Sequence, residues 1–102
     1  MNLPTNNVTL AAYSAIIDER RRQDTLHPKW HGSQHGLSVL VEEVGEVARG
    51  LYEWNNATRA KDQQKWRENL QSELVQVAAV CVRWLENLEA EARKNEHASH
   101  RA

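Results

Sequence analysis

The chain reads as all-α. Only two prolines and four glycines interrupt its 102 residues. Apolar side chains recur at helical spacing over long stretches, and β-branched residues never alternate strictly with polar ones. The pattern predicts an N-terminal helix followed by an antiparallel helical hairpin, with the bundle completed by dimerisation.

Residues 1–7 carry no apolar repeat and are expected to be loose, in one domain spanning 1–102. The first helix is expected from Val8 or Thr9 to about Asp24, on Leu10, Tyr13, Ile16 and Ile17, with Asn7 or Thr9 as its cap. The segment Thr25 to Gly36 holds Pro28, Gly32, Gly36 and three of the five histidines, and reads as a loop. A second helix follows from about Leu37 to Trp54, with Leu37, Leu40, Val41, Val44, Val47, Ala48 and Leu51 as its buried stripe. Asn55 to Thr58 make a turn, and a third helix runs from Arg59 or Lys61 to beyond Leu88. From about residue 90 to 102 the periodicity is lost and fraying is expected.

With 40% hydrophobic and 26% charged residues, the chain has the composition of a folded domain. A formal charge of −1 argues against duplex nucleic acid as a partner. Arg20, Arg21 and Arg22 point about 100° apart on a helix, so they read as a solvated face rather than a phosphate clamp. Cys81, the single cysteine, excludes an internal disulfide and reads as a packing residue. Together with an N-terminus lacking a signal-peptide core, it predicts a cytoplasmic location. No apolar stretch reaches the roughly 20 residues of a membrane span.

The third helix is apolar nearly all round. Leu74, Val77, Ala78, Cys81 and Leu85 make one stripe, while Val75, Ala79 and Val82 cover another face. Three helices cannot easily surround such a rod, so a partner copy is expected, in a homodimer or homotetramer.

Acidic and amide side chains punctuate both later helices. Glu43 and Glu46 stand three apart, as do Glu73 and Gln76, which puts each pair on one helical face. Measured from Leu40 and from Leu70, the two members of each pair fall at roughly 60° and 120° on the same side. Carboxylates among Leu and Val are costly to desolvate unless neutralised, by structural ion pairs or by a bound cation. Four convergent oxygen donors would suit one or two Mg²⁺ ions, or Mn²⁺, over Zn²⁺.

The runs Val41-Glu42-Glu43-Val44-Gly45-Glu46-Val47-Ala48-Arg49 and Glu73-Leu74-Val75-Gln76-Val77-Ala78-Ala79-Val80 resemble the MazG-like nucleotide pyrophosphohydrolases. That family's signature is two acidic residues before x-x-Glu, a spacer, then Glu-x-x-Asp. Glu42, Glu43 and Glu46 match its first half, Glu73 opens the second, and 26 residues lie between Glu46 and Glu73. The resemblance covers roughly Leu37 to Glu86, more weakly Glu19 to Trp30. It implies an all-α bundle completed by dimerisation and hydrolysis of a (d)NTP to (d)NMP and pyrophosphate. It further implies Mg²⁺ on Glu43, Glu46 and Glu73, with Glu42 orienting or activating water. Gln76 departs from the signature: its amide oxygen can ligate Mg²⁺ but adds no charge and is a poor base. A noncatalytic helical nucleotide-binding or interaction module is therefore the alternative.

Other residues join as substrate-binding candidates. Arg49, Lys65 and Arg83 are cations that could hold phosphates, and Lys29 could reach one from the loop. Gln23 and Trp30 precede the second helix where they could select a base. Trp66 and Trp84 read as packing residues. His31 and His35 lack a third nitrogen or sulfur partner, so zinc is not expected, and the absence of a Gly-rich phosphate loop excludes a P-loop mechanism.

Overall fold

A computed structural model describes residues 6–101, which form three α-helices: α1 (Asn7–Leu26), α2 (Ser33–Asn56) and α3 (Ala60–Arg101). The expected loose start at 1–5 lies outside the described residues. Its last two positions are corrected, because Asn7 is helical and Asn6 is the cap. The Asn6 Oδ1 accepts from the Val8 N–H at 2.8 Å and the Thr9 N–H at 3.4 Å, satisfying two donors that would otherwise lack partners.

The loop is shorter than expected. Gly32 adopts φ 93°, a conformation that favours glycine, and Ser33 already opens α2. Gly36 is therefore no helix breaker but a contact point. A Cβ built there would lie 2.5 Å from the Trp30 ring, so the missing side chain lets the indole seat against the helix.

α3 packs against both α1 and α2, which do not pack on each other. Arg20 ties α1 to Glu86 while also bridging Asp24, so it is largely covered rather than solvated as expected. α2 meets α3 at successive levels. The Trp84 Nε1–H donates to Ser33 Oγ at 2.9 Å, and farther along a Cβ on Gly50 would come within 2.9 Å of Asn69 Oδ1. Positions rise along α2 as they fall along α3.

The covered face of α2 is displaced from the expected stripe. Gly36 and Gly50 are buried and Leu40, Glu43, Val47 and Trp54 half-buried, whereas Leu37, Val41, Val44, Ala48 and Leu51 are exposed. On α3, Leu74, Val82, Leu85 and Leu88 are likewise exposed. By helical rotation, each exposed stripe lies roughly 100° from the α2–α3 contact, and both fall on the same side of the helix pair. The core is correspondingly thin: Ala79 and Val80 are its buried apolar side chains among the described residues. The radius of gyration is 17.4 Å, against about 13 Å for a compact domain of this length.

α3 remains helical to Arg101, so the expected fraying from about residue 90 does not break the helix. What changes there is burial, because every residue from Leu88 to His97 is exposed.

Gly36→Ala should displace the Trp30 indole. Overpacking costs about 1–3 kcal/mol, whereas replacing a helical glycine recovers about 1 kcal/mol, so a net loss follows. Chemical denaturation with tryptophan fluorescence would register it, and a variant as stable as wild type would contradict the contact.

Candidate functional site

The α2–α3 interface draws Glu43 and Glu73 together. On α2, Glu43 lies within the covered face among Leu40, Val47 and Gly50, and on α3 Glu73 is also half-buried. Glu73 is near enough to act on the Glu43 carboxyl. The Glu73 Oε2 is buried without any hydrogen-bond partner. Ion pairs among the described residues join Arg20 to Asp24 and Glu86, Arg22 to Glu19, and Arg93 to Glu89. None neutralises Glu42, Glu43, Glu46 or Glu73, so this pair is held by carboxyl meeting carboxyl.

The proton distribution follows. Burial, then the hydrogen bond and charge of Glu73, then the charges of Glu42 and Glu46, raise the Glu43 carboxyl from 4.5 to about 7. Ionising Glu43 beside another acid in a half-dry interface is therefore costly.

The other expected donors stand less close. Glu42 and Glu46 are exposed, and Gln76 is half-buried on α3. By helical rotation Glu46 and Gln76 fall on the same flank of the α2–α3 pair, opposite the exposed apolar stripes. Among the described residues, no three His, Cys, Asp or Glu side chains converge tightly enough to hold a metal ion. The fold thus assembles two carboxyls of the expected set. An all-oxygen donor pair with an unpartnered buried oxygen is chemistry that suits a hard divalent cation.

A cavity of about 510 Å³ opens on that flank, near the loop between α1 and α2. Its walls include His27, Lys29, Trp30 and His31 from the loop, His35 and Val39 from α2, and Val80 and Arg83 from α3. Arg83 is buried; it donates to the His27 carbonyl oxygen, and its guanidinium sits 5.7 Å from the Trp30 ring centroid. It therefore braces the loop as well as lining the cavity. Val39 precedes Glu43 by one turn and Val80 follows Glu73 by two, so cavity and carboxyl pair are neighbours along the same helices.

Of the remaining candidates, Lys29 is an exposed cavity wall and Trp30 is half-buried with no partner for its Nε1–H. Gln23 is half-buried on α1 with an unpartnered Oε1. Arg49 is exposed, and the Lys65 ammonium lies 5.2 Å from the Trp66 ring centroid. Sequence reasoning missed His27, His31 and His35 as cavity residues. Their signal was the run His27-Pro28-Lys29-Trp30-His31, basic and aromatic without an acid.

A pH dependence follows from the raised Glu43 value. The folded state favours the protonated form, so this contribution to stability is complete below about 4.5 and is lost as pH rises through about 7. Glu43→Gln mimics the protonated acid at every pH. In chelator, wild type should lose thermal stability relative to Glu43→Gln between pH 5 and pH 8. Parallel melting curves would show that the two acids do not burden each other.

No protein-family model matches this chain, and neither a curated protein nor a solved structure matches it. Function is therefore read from its own side chains.

Proposed function

We propose that the protein is a Mg²⁺-dependent nucleotide pyrophosphohydrolase that converts a (d)NTP to (d)NMP and pyrophosphate. The observation that carries this reading is the Glu43–Glu73 pair, two neighbouring acids that join no ion pair among the described residues, with one buried oxygen unpartnered. Once ionised, such a pair burdens the fold, and a divalent ion would remove that cost. Position agrees with chemistry, because these acids occupy the matching places in the two halves of the MazG-like signature.

In this reading Glu43, Glu46 and Glu73 hold Mg²⁺, or Mn²⁺, with the Gln76 amide oxygen as a neutral donor. The ion supplies charge neutralisation on the phosphates and a more acidic water. Glu42, exposed one residue from the pair, orients or deprotonates the attacking water. Lys29 and Arg83 bring positive charge from the cavity to the phosphates, and Arg49 and Lys65 add to it from exposed positions. Trp30 offers an aromatic wall to the base, and Gln23 helps select it.

The exposed apolar stripes of α2 and α3 support an assembly of two or four copies, in which the antiparallel α2–α3 hairpin packs on its counterpart. No helix among the described residues is long and apolar enough to cross a membrane. The single free cysteine fits a reducing, cytoplasmic setting.

One observation favours a second reading. Gln76 replaces the signature's last carboxylate, and among the described residues no third acid joins Glu43 and Glu73 in a metal-holding group. A noncatalytic nucleotide-binding or interaction module would keep this scaffold without turnover.

Pyrophosphate release from a panel of dNTPs with Mg²⁺ separates the two readings. The hydrolase releases it, and Glu43→Gln or Glu73→Gln lowers the rate at least 100-fold while helical content persists; the module releases none. Gln76→Asp should preserve or strengthen Mg²⁺ binding measured by calorimetry. Val44→Glu should shift the assembly towards monomer in light scattering, and an unchanged mass would exclude that face from the interface.

A further inference from the structure

The cavity beside Trp30 has cations in its walls and no acid. Lys29 and Arg83 are those cations, and the other titratable wall residues are His27, His31 and His35. At about 510 Å³ it has the size of a small-molecule site. Asp24, at the end of α1, is engaged by Arg20 at 2.6 Å and offers no compensation. Arg83 is buried, yet it joins none of the ion pairs among the described residues. It donates to the His27 carbonyl oxygen, and the Trp30 ring centroid lies 5.7 Å from its guanidinium. A buried charge without a counter-charge is costly, so this guanidinium is the mirror image of the Glu43–Glu73 pair.

The charged end of the cavity is the end away from the carboxyl pair. Arg83 lies ten residues beyond Glu73 on α3, a rise of about 15 Å. Gly36, where the Trp30 ring seats, lies seven residues before Glu43 on α2, a rise of about 10 Å. Val39 and Val80 form the wall between. Phosphates held at the carboxyl pair draw on the cavity's charge only from afar, whereas a group lying against Trp30 meets it directly. We propose that the cavity selects a nucleotide whose flat base carries an anionic group, with Arg83 and Lys29 as the residues that recognise it. The inference rests on the reading that the cavity receives a nucleotide's base, and it names the substrate class of that site. A carboxylate on the base would supply the counter-charge that Arg83 lacks, while the ring stays against the Trp30 indole. A neutral base would fill the same space and leave the buried guanidinium unpaired.

The test is calorimetry on the full chain with Mg²⁺, using orotidine 5′-monophosphate and uridine 5′-monophosphate as probes. The two differ by one carboxylate on the base, and neither has an anhydride to be cleaved. Wild type should bind the orotidine probe about tenfold more tightly, the scale of one hydrogen bond to a charged group. Lys29→Glu places in the cavity wall the acid that it lacks, and should abolish the preference. Lys94→Glu makes the same charge change at an exposed position far along α3, and should keep it.

Equal binding of both probes by wild type, binding of neither, or a preference surviving Lys29→Glu would overturn the proposal. So would loss of the preference in Lys94→Glu, which would reduce it to the net charge of the molecule. Lys29 is exposed, so its variant should keep the helical circular dichroism. Should it not, the ratio of the two affinities in wild type and in Lys94→Glu decides. Binding is read here without turnover, so the two ideas fail separately. Preference for the orotidine probe, with no pyrophosphate released from ordinary dNTPs or from orotidine 5′-triphosphate, would remove the hydrolase alone. Release from ordinary dNTPs beside equal binding of the two probes would remove the selection of an acidic base alone.

Discussion

The packing of α2 on α3 sets everything else. α1 and α2 have no contact of their own, so α3 is the common partner through which the molecule holds together. Where α2 closes on it, the interface alternates tight approaches with a polar interruption. Gly36 admits the Trp30 ring and Gly50 admits Asn69, and between them Glu43 meets Glu73. At Gly50 the missing side chain lets the α3 backbone approach, and two turns back along α2 Glu43, like Glu73 opposite, is half-buried.

One flank of this helix pair carries polar and charged side chains and the other carries apolar surface. Glu46, Gln76, Arg83 and the Trp30 loop fall on the first, and Leu37, Val41, Val44, Leu74 and Leu85 on the second. A charged site needs water and ligand access, while uncovered Leu and Val need another apolar surface. Placing them on opposite flanks lets both needs be met at once. Acid and base are also partitioned along the same flank, with carboxyls toward the middle of α2 and cations at its start.

Helix number and approximate extent were legible in the sequence because helical periodicity reports burial over many residues. The orientation of α2 was not. A stripe drawn through its most apolar positions passes through Leu37, Val41 and Val44, all exposed, and excludes Glu43, which is half-buried. Hydrophobicity marks the apolar positions of a helix, and cannot say which of them its neighbours in the chain will cover. The loop boundary failed for a related reason. Gly36 looks like punctuation in one dimension and proves to be clearance for a ring in three. The acid pair was legible, since Glu43 and Glu73 occupy equivalent places on adjoining helices. The basic cavity was not, because its walls come from a loop and two helices that only folding unites.

Beyond Leu88 the third helix stands clear of its neighbours, every side chain through His97 facing solvent. Its order there comes from propagation out of the anchored turns, with the Arg93–Glu89 bridge at 2.9 Å adding a small local increment. Nothing in the carboxyl pair or the cavity leans on that extension. It is in effect a built-in handle, where a tether, a fluorophore or a fused domain could be carried on a stiff spacer without disturbing the packing below.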